Sequence, residues 1–149
     1  MFLTRRGERA AEVGDLASFQ RANLLPRASL HPLIAADVWP AFLRGDYDAA
    51  IFQAFRRLEV EVRGAGDFQP SDLGVPMMRN AFKAGGPLAD PTILPAEQQA
   101  LSDLFAGAIG WAKNPQSHRI VAVDDPKVAA ELINLASYLM RIVDERRPV

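Results

Sequence analysis

Apolar residues recur along this chain at helical spacing, and nowhere does period-two alternation run long enough to build a sheet. That periodicity restricts the chain to bundles of helices. Residues 15–25 give a weak first helix, with Leu16, Phe19 and Leu24 as its apolar members. His31-Pro32 opens the second, because proline at the first helical position lacks only an N–H that would be unpaired anyway. Ile34, Val38 and Phe42 follow at spacing four, and Pro40 is expected to kink or shorten this helix. Gly45-Asp46 stops it, and Asp46 is expected to cap the third helix, about 47–64, with Ile51, Phe55, Leu58 and Val62 on one stripe.

A short helix is expected from about Pro76 to Lys83, burying Met78, Ala81 and Phe82. Glycine and proline then mark Gly85 to Pro95 as a loop. Helix 95–112 carries Leu101, Leu104, Phe105, Ala108 and Ala112 as its core stripe, and Asn114-Pro115 ends it, since a residue before proline avoids helical geometry. Residues 120–123 read as a short extended piece. Asp125 caps the last helix, whose stripe is Val128, Leu132, Leu135, Ala136, Leu139 and Val143. The fold class is therefore all-α, a single-domain helical bundle of five or six helices. Its organisation is an N-terminal arm or first helix over 1–29 and a helical domain over 30–149.

At 149 residues the chain is one domain able to bury a core unaided. It has no cysteine, which removes disulfides and thiolate metal sites, and the cytoplasm is the natural compartment. No run approaches the ~20 apolar residues of a membrane span. A net charge of −1 lacks the basic footprint of a broad nucleic-acid binder, so any such contact must come from a local patch or from a site doubled by oligomerisation.

The chemistry-bearing segment is Lys-Asn-Pro-Gln-Ser-His at 113–118, where a long apolar helix gives way to a loop. Each residue has a plain reading. Lys113 offsets a helix dipole, Asn114-Pro115 is a stop signal, and His118 caps a turn. Together they also have a chemical one. An imidazole of ordinary pKa ~6.5 serves as acid or base near neutrality. Lys113 offsets phosphate charge, Asn114 donates to a non-bridging oxygen or orients the loop, and Ser117 adds a donor. The chain has two histidines, His31 and His118, so two copies facing each other would supply both acid and base. Metal ligation finds no support, with distant histidines and no Asp/Glu cluster at helical spacing; no cofactor is expected. Glu59 and Glu61, two apart, point to different sides of their helix and form no paired-carboxylate site. Trp39 and Trp111 read as core or interface anchors.

Several segments stand in a familiar order. They are Leu30-His31-Pro32, Gly45-Asp46-Tyr47-Asp48-Ala49-Ala50, Val60-Glu61-Val62-Arg63, Met77-Met78 with Ala81-Phe82, Leu104 to Gly110 leading into Lys113-Asn114-Pro115, Ser117-His118-Arg119, and Asp124-Asp125-Pro126. This order resembles the Ymh-type family of prokaryotic and phage proteins, over roughly residues 30–145. That family is similar to the HEPN superfamily, α-helical domains of toxin and phage-defence proteins.

The resemblance implies a HEPN-like domain acting as a metal-independent RNA endonuclease and working as a homodimer. HEPN nucleases carry an arginine, a polar residue and, a few residues on, a histidine; Lys113, Asn114 and His118 fall on these positions as catalytic residues. Ser117 and Arg119 fall beside them as substrate-binding residues. The departure is lysine for arginine. Ile120 stands where HEPN toxins silenced by nucleotide modification carry tyrosine, which argues against that regulation here. The expected partners are a second copy, RNA or a nucleotide, and an inhibitor or defence-system protein. The alternative is a non-catalytic HEPN-like module for nucleotide or RNA binding or for assembly.

Overall fold

A computed structural model describes residues 16–115 and 122–149. Six helices follow one another: α1 (residues 16–24), α2 (Pro32–Leu43), α3 (Tyr47–Ala65), α4 (Gly74–Phe82), α5 (Pro95–Ala108) and α6 (Pro126–Arg146). A 3-10 turn, Arg27–Ser29, precedes α2, and α5 runs on through a π-helical turn, Ile109–Lys113. No strand occurs among the described residues.

Helix α3 is the hub. It packs against α2 on one side and α6 on another, and meets the π turn at its C-terminal half, while α4 lies along α5. Its stripe of Ile51, Phe55, Leu58 and Val62 is sealed from solvent, as are Ile133, Leu139, Met140 and Val143 of α6. Each such side chain contributes roughly 1.5–3 kcal/mol through removal from water. Between α4 and α5 the rings of Phe82 and Phe105 stack with centroids 3.8 Å apart.

The ends of the helices follow from local chemistry. His31 caps α2: its Nδ1 accepts from the Leu33 N–H at 3.2 Å, and Pro32 occupies the first helical position. Helix α2 continues past Pro40 to Leu43. Asp125 caps α6 by accepting from the Lys127 N–H at 2.9 Å. Asp46 stands at the N-cap of α3 but makes no side-chain cap bond, because its carboxylate pairs with Arg44 at 3.2 Å instead.

Two stripes are phased differently from the reading of hydrophobicity. Along α5 the inward positions include Gln98 and Ser102, so Leu104 is left 41% exposed. These two polar residues are buried because α4 presents carbonyls to them: the Gln98 amide donates to the Phe82 carbonyl, and the Ser102 hydroxyl to that of Arg79 at 3.3 Å. In α6 the inward face is centred on Ala129, Ile133, Ala136, Met140 and Val143, and Val128 is exposed. Leu16, Phe19 and Leu24 of α1 are exposed as well; Leu25, just beyond the helix, is the buried anchor. Asn114 and Pro115 continue the helical path beyond the π turn. Residues 120 and 121 of the expected extended piece lie outside the described residues, and 122–125 adopt no regular structure.

His31 also ties α2 to α6. Its backbone N–H donates to the Ser137 hydroxyl at 2.7 Å, and its Nε2–H donates to Asp144 at 2.7 Å. The His31 hydrogen bond, helped by Arg147, holds the Asp144 carboxyl below the usual carboxylate range. A carboxyl with a lowered folded-state pKa stabilises the fold above its unfolded value and loses that contribution as pH falls towards the folded value. Thermal midpoints should therefore hold steady at neutral pH and decline below about pH 4. Asp144→Asn should flatten that acid decline. Its cost at pH 7 should stay near 1 kcal/mol, since the Asp144 side chain is 49% exposed and screened by water. A wild-type acid limb retained in full by the variant would refute this account.

Candidate functional site

The segment singled out by chemistry begins on the π turn. In an α-helix each residue advances the side chain by about 100°. A π turn, with its i→i+5 bonds, advances roughly 80° per residue, so the chain gains one extra residue and later side chains lag. Phe105 and Ile109 face the core; the lag turns Lys113 onto that inward line, while Trp111, two residues after Ile109, points outwards. Accordingly Trp111 is 78% exposed, whereas the Lys113 side chain is only 16% exposed. Trp39, by contrast, is half-buried, with its indole N–H donating to the Leu25 carbonyl at 2.9 Å.

Lys113 points at α3. Its Nζ lies 3.1 Å from Oε2 of Glu59, a glutamate whose side chain is 7% exposed. The other oxygen, Oε1, accepts from Arg63 Nη2 at 3.0 Å, and Arg63 Nε donates to the Asp72 carbonyl at 2.8 Å. Two cations thus share one buried carboxylate. Oε2 faces the Lys113 ammonium as an ion pair and accepts no hydrogen bond among the described residues. Glu61 turns the other way, towards Arg57 at 3.4 Å and Arg147. The two glutamates do face different sides.

Asn114 follows, half-buried, on the helical path that continues to Pro115. Ser117, His118 and Arg119 lie outside the described residues. The flanks of their segment are both fastened to α3. Lys113 meets Glu59, and the Val123 N–H donates to Asp48 Oδ1 at 2.7 Å. At about 1.5 Å per residue, the Asp48 and Glu59 positions are roughly 16 Å apart along the helix. His31, engaged on both ring nitrogens in a cap and a hydrogen bond to Asp144, is occupied structurally.

A protein-family model for a protein of unknown function, Hypoth_Ymh, matches residues 28–143. The chain belongs to the Ymh family. The match spans α2 to most of α6 and therefore includes Glu59, Arg63 and the whole Lys113–His118 segment. No curated protein and no solved structure matches the chain. Among the described residues of this Ymh-family protein, no three His, Cys, Asp or Glu side chains converge as a metal site, and no helix is long and apolar enough to cross a membrane.

Sequence reasoning weighed Glu59 only as a partner of Glu61 and gave Arg63 no part in the site. The signal was present: Glu59 sits four residues after Phe55 and three before Val62, a charged residue on an otherwise apolar line. A carboxylate there must find a cation or shed its charge. Arg63, one turn on, and Lys113, from the π turn, are what it finds. Three surface hollows of about 370–380 Å3 lie elsewhere. They are bordered by Arg56 and Arg57 on α3, by Asp46 to Asp48 with Val123, and by the Gly85–Pro95 loop.

Proposed function

We propose that this protein is a HEPN-like, metal-independent RNA endonuclease of a phage-defence or toxin-type system, acting in the cytoplasm as a homodimer. His118 serves as acid or base, Lys113 and Asn114 hold the scissile phosphate, and Ser117 and Arg119 contact the flanking RNA. The observation that carries this reading is the setting of Lys113. Its ammonium is paired with the buried Glu59 on α3, and Lys113 stands five residues ahead of His118 in the sequence.

The balance of charge is favourable. Arg63, Glu59 and Lys113 together carry a net +1, and Glu59 holds the ammonium by charge without accepting any of its three N–H donors. Lysine acts on phosphate as a point charge and lacks the fork of arginine, so a looser grip on the phosphodiester is expected than in arginine-bearing relatives. Attack by a ribose 2′-hydroxyl gives a 2′,3′-cyclic phosphate and a free 5′-hydroxyl. With one histidine, His118, in each copy of the site, the second proton transfer falls to the partner copy.

The test is incubation with mixed RNA in EDTA. Wild type should cleave, and His118→Ala should be slower by 10²-fold or more, the loss typical of a missing general acid or base. Cleavage abolished by EDTA would sink the proposal. A second reading, a non-catalytic assembly module, draws on the exposed Leu104 and Trp111 of the α5–π-turn rod. RNA left intact by wild type, together with a partner interaction lost in Trp111→Ala, would favour it.

A further inference from the structure

We propose that Glu59 is the positioning residue for Lys113, fixing the ammonium by charge so that its N–H groups serve a phosphodiester. The inference rests on the ribonuclease reading and deepens it. Three observations converge. Glu59 lies on the buried line of α3 and has a 7% exposed side chain, so it is removed from water as a charge. Both its oxygens are directed at cations, Arg63 at 3.0 Å and Lys113 at 3.1 Å. The helix that delivers Lys113 adopts a π turn over the five residues that end with it, Ile109–Lys113. An uninterrupted α-helix would carry the Lys113 side chain away from Glu59 by roughly 80°.

One carboxylate cannot neutralise two cations. Glu59 therefore orders Lys113 without cancelling the local positive charge, and Arg63 shares the carboxylate from the far side, where the Asp72 carbonyl holds it. This distinguishes positioning from inhibition. Were Glu59 simply masking the ammonium, its removal would strengthen phosphate binding and speed cleavage. Were it positioning the ammonium, removal would slow the chemical step although the site has become more positive.

The experiment uses Glu59→Gln, which keeps the shape, and Glu59→Asp, which keeps the charge but withdraws it by one methylene. Two readouts are taken on the folded proteins. The first is the rate at which an amine-acylating reagent modifies Lys113, followed by peptide mass spectrometry with exposed Lys83 and Lys127 as internal standards. An ammonium released from Glu59 should react about fivefold faster, as its protection depends on local opening. The second is RNA cleavage in EDTA, where kcat should fall about tenfold with KM within about twofold.

Lys113 acylation unchanged in both variants would overturn the proposal, as would cleavage that is unchanged or faster. If wild type cleaves no RNA while acylation of Lys113 still accelerates, the ribonuclease reading falls and the anchoring of Lys113 by Glu59 stands. Should Glu59→Gln fail to fold, Glu59→Asp carries both readouts.

Discussion

Gly86→Ala should lower the thermal midpoint by about 10 °C, corresponding to about 3 kcal/mol for a chain of this size. Gly86 lies where the chain leaves α4 and doubles back over its C-terminal carbonyls. A Cβ built there would stand 2.5 Å from the Asn80 oxygen, 2.7 Å from that of Ala81 and 2.9 Å from that of Lys83. All three are backbone atoms, so no side chain can swing aside. The same turn is stitched by the Gly86 N–H to Lys83 O at 2.8 Å and by the Leu88 N–H to Ala81 O at 2.9 Å. Relief by outward motion would break these bonds and draw Leu88, now fully buried, towards solvent. Gly64→Ala is the control. Its added methyl meets nothing within 4 Å inside α3, and it should stabilise by up to about 1 kcal/mol through helix propensity alone. Equal melting of Gly86→Ala and wild type in circular dichroism would refute the close approach.

Beginning the chain at Ala28 should cost still more, about 4 kcal/mol, with the midpoint falling by more than 10 °C. Residues 16–25 are tied to the domain at three points. Leu25 is wholly buried, and loss of a buried leucine commonly costs 2–5 kcal/mol. Its carbonyl accepts the Trp39 indole N–H, which truncation would leave without that partner. Arg21 lies over Gly45, donates from Nη1 to the Leu43 carbonyl at 2.9 Å and from Nε to the Tyr47 hydroxyl at 3.0 Å. It thereby satisfies a carbonyl at the C-terminal end of α2 and fastens the turn into α3. Leu25→Ala in the full chain should reproduce about half of the loss. A truncated protein that melts with the full chain would show that 1–27 is a dispensable arm.

The helices were legible because their boundaries rest on short-range chemistry. His31-Pro32 and Asp125-Pro126 act within two residues of themselves, and their caps form where those residues place them. Phase was harder. Gln98 and Ser102 occupy inward positions of α5 because of carbonyls on α4, a tertiary fact that hydrophobicity does not encode. Asp46 lost its cap bond to a competing arginine two residues away. Nothing in the pattern Ile-Gly-Trp-Ala-Lys announces a π turn, and of the two readings of Trp111, core or interface anchor, its exposure excludes the core.

Lys113 and Asn114 were singled out at an expected helix end, but the helix runs on through Pro115, and Ser117, His118 and Arg119 lie outside the described residues. The partner of Lys113 was not readable, since Glu59 lies far away in sequence and contact across that separation is set by packing. Only its oddity, an acid on an apolar line, pointed to it.

The π turn has a bearing on how relatives should be compared. It works as a one-residue frameshift in three dimensions: upstream of Ile109 and downstream of Lys113 the rod keeps two different angular registers. A relative whose rod is a plain α-helix would bring its inward cation to the column occupied here by Ala112, not to that of Lys113. Columns matched by residue count would then pair a buried cation with a surface side chain. Such a pair would look like the loss of a functional residue when it is only a change of pitch.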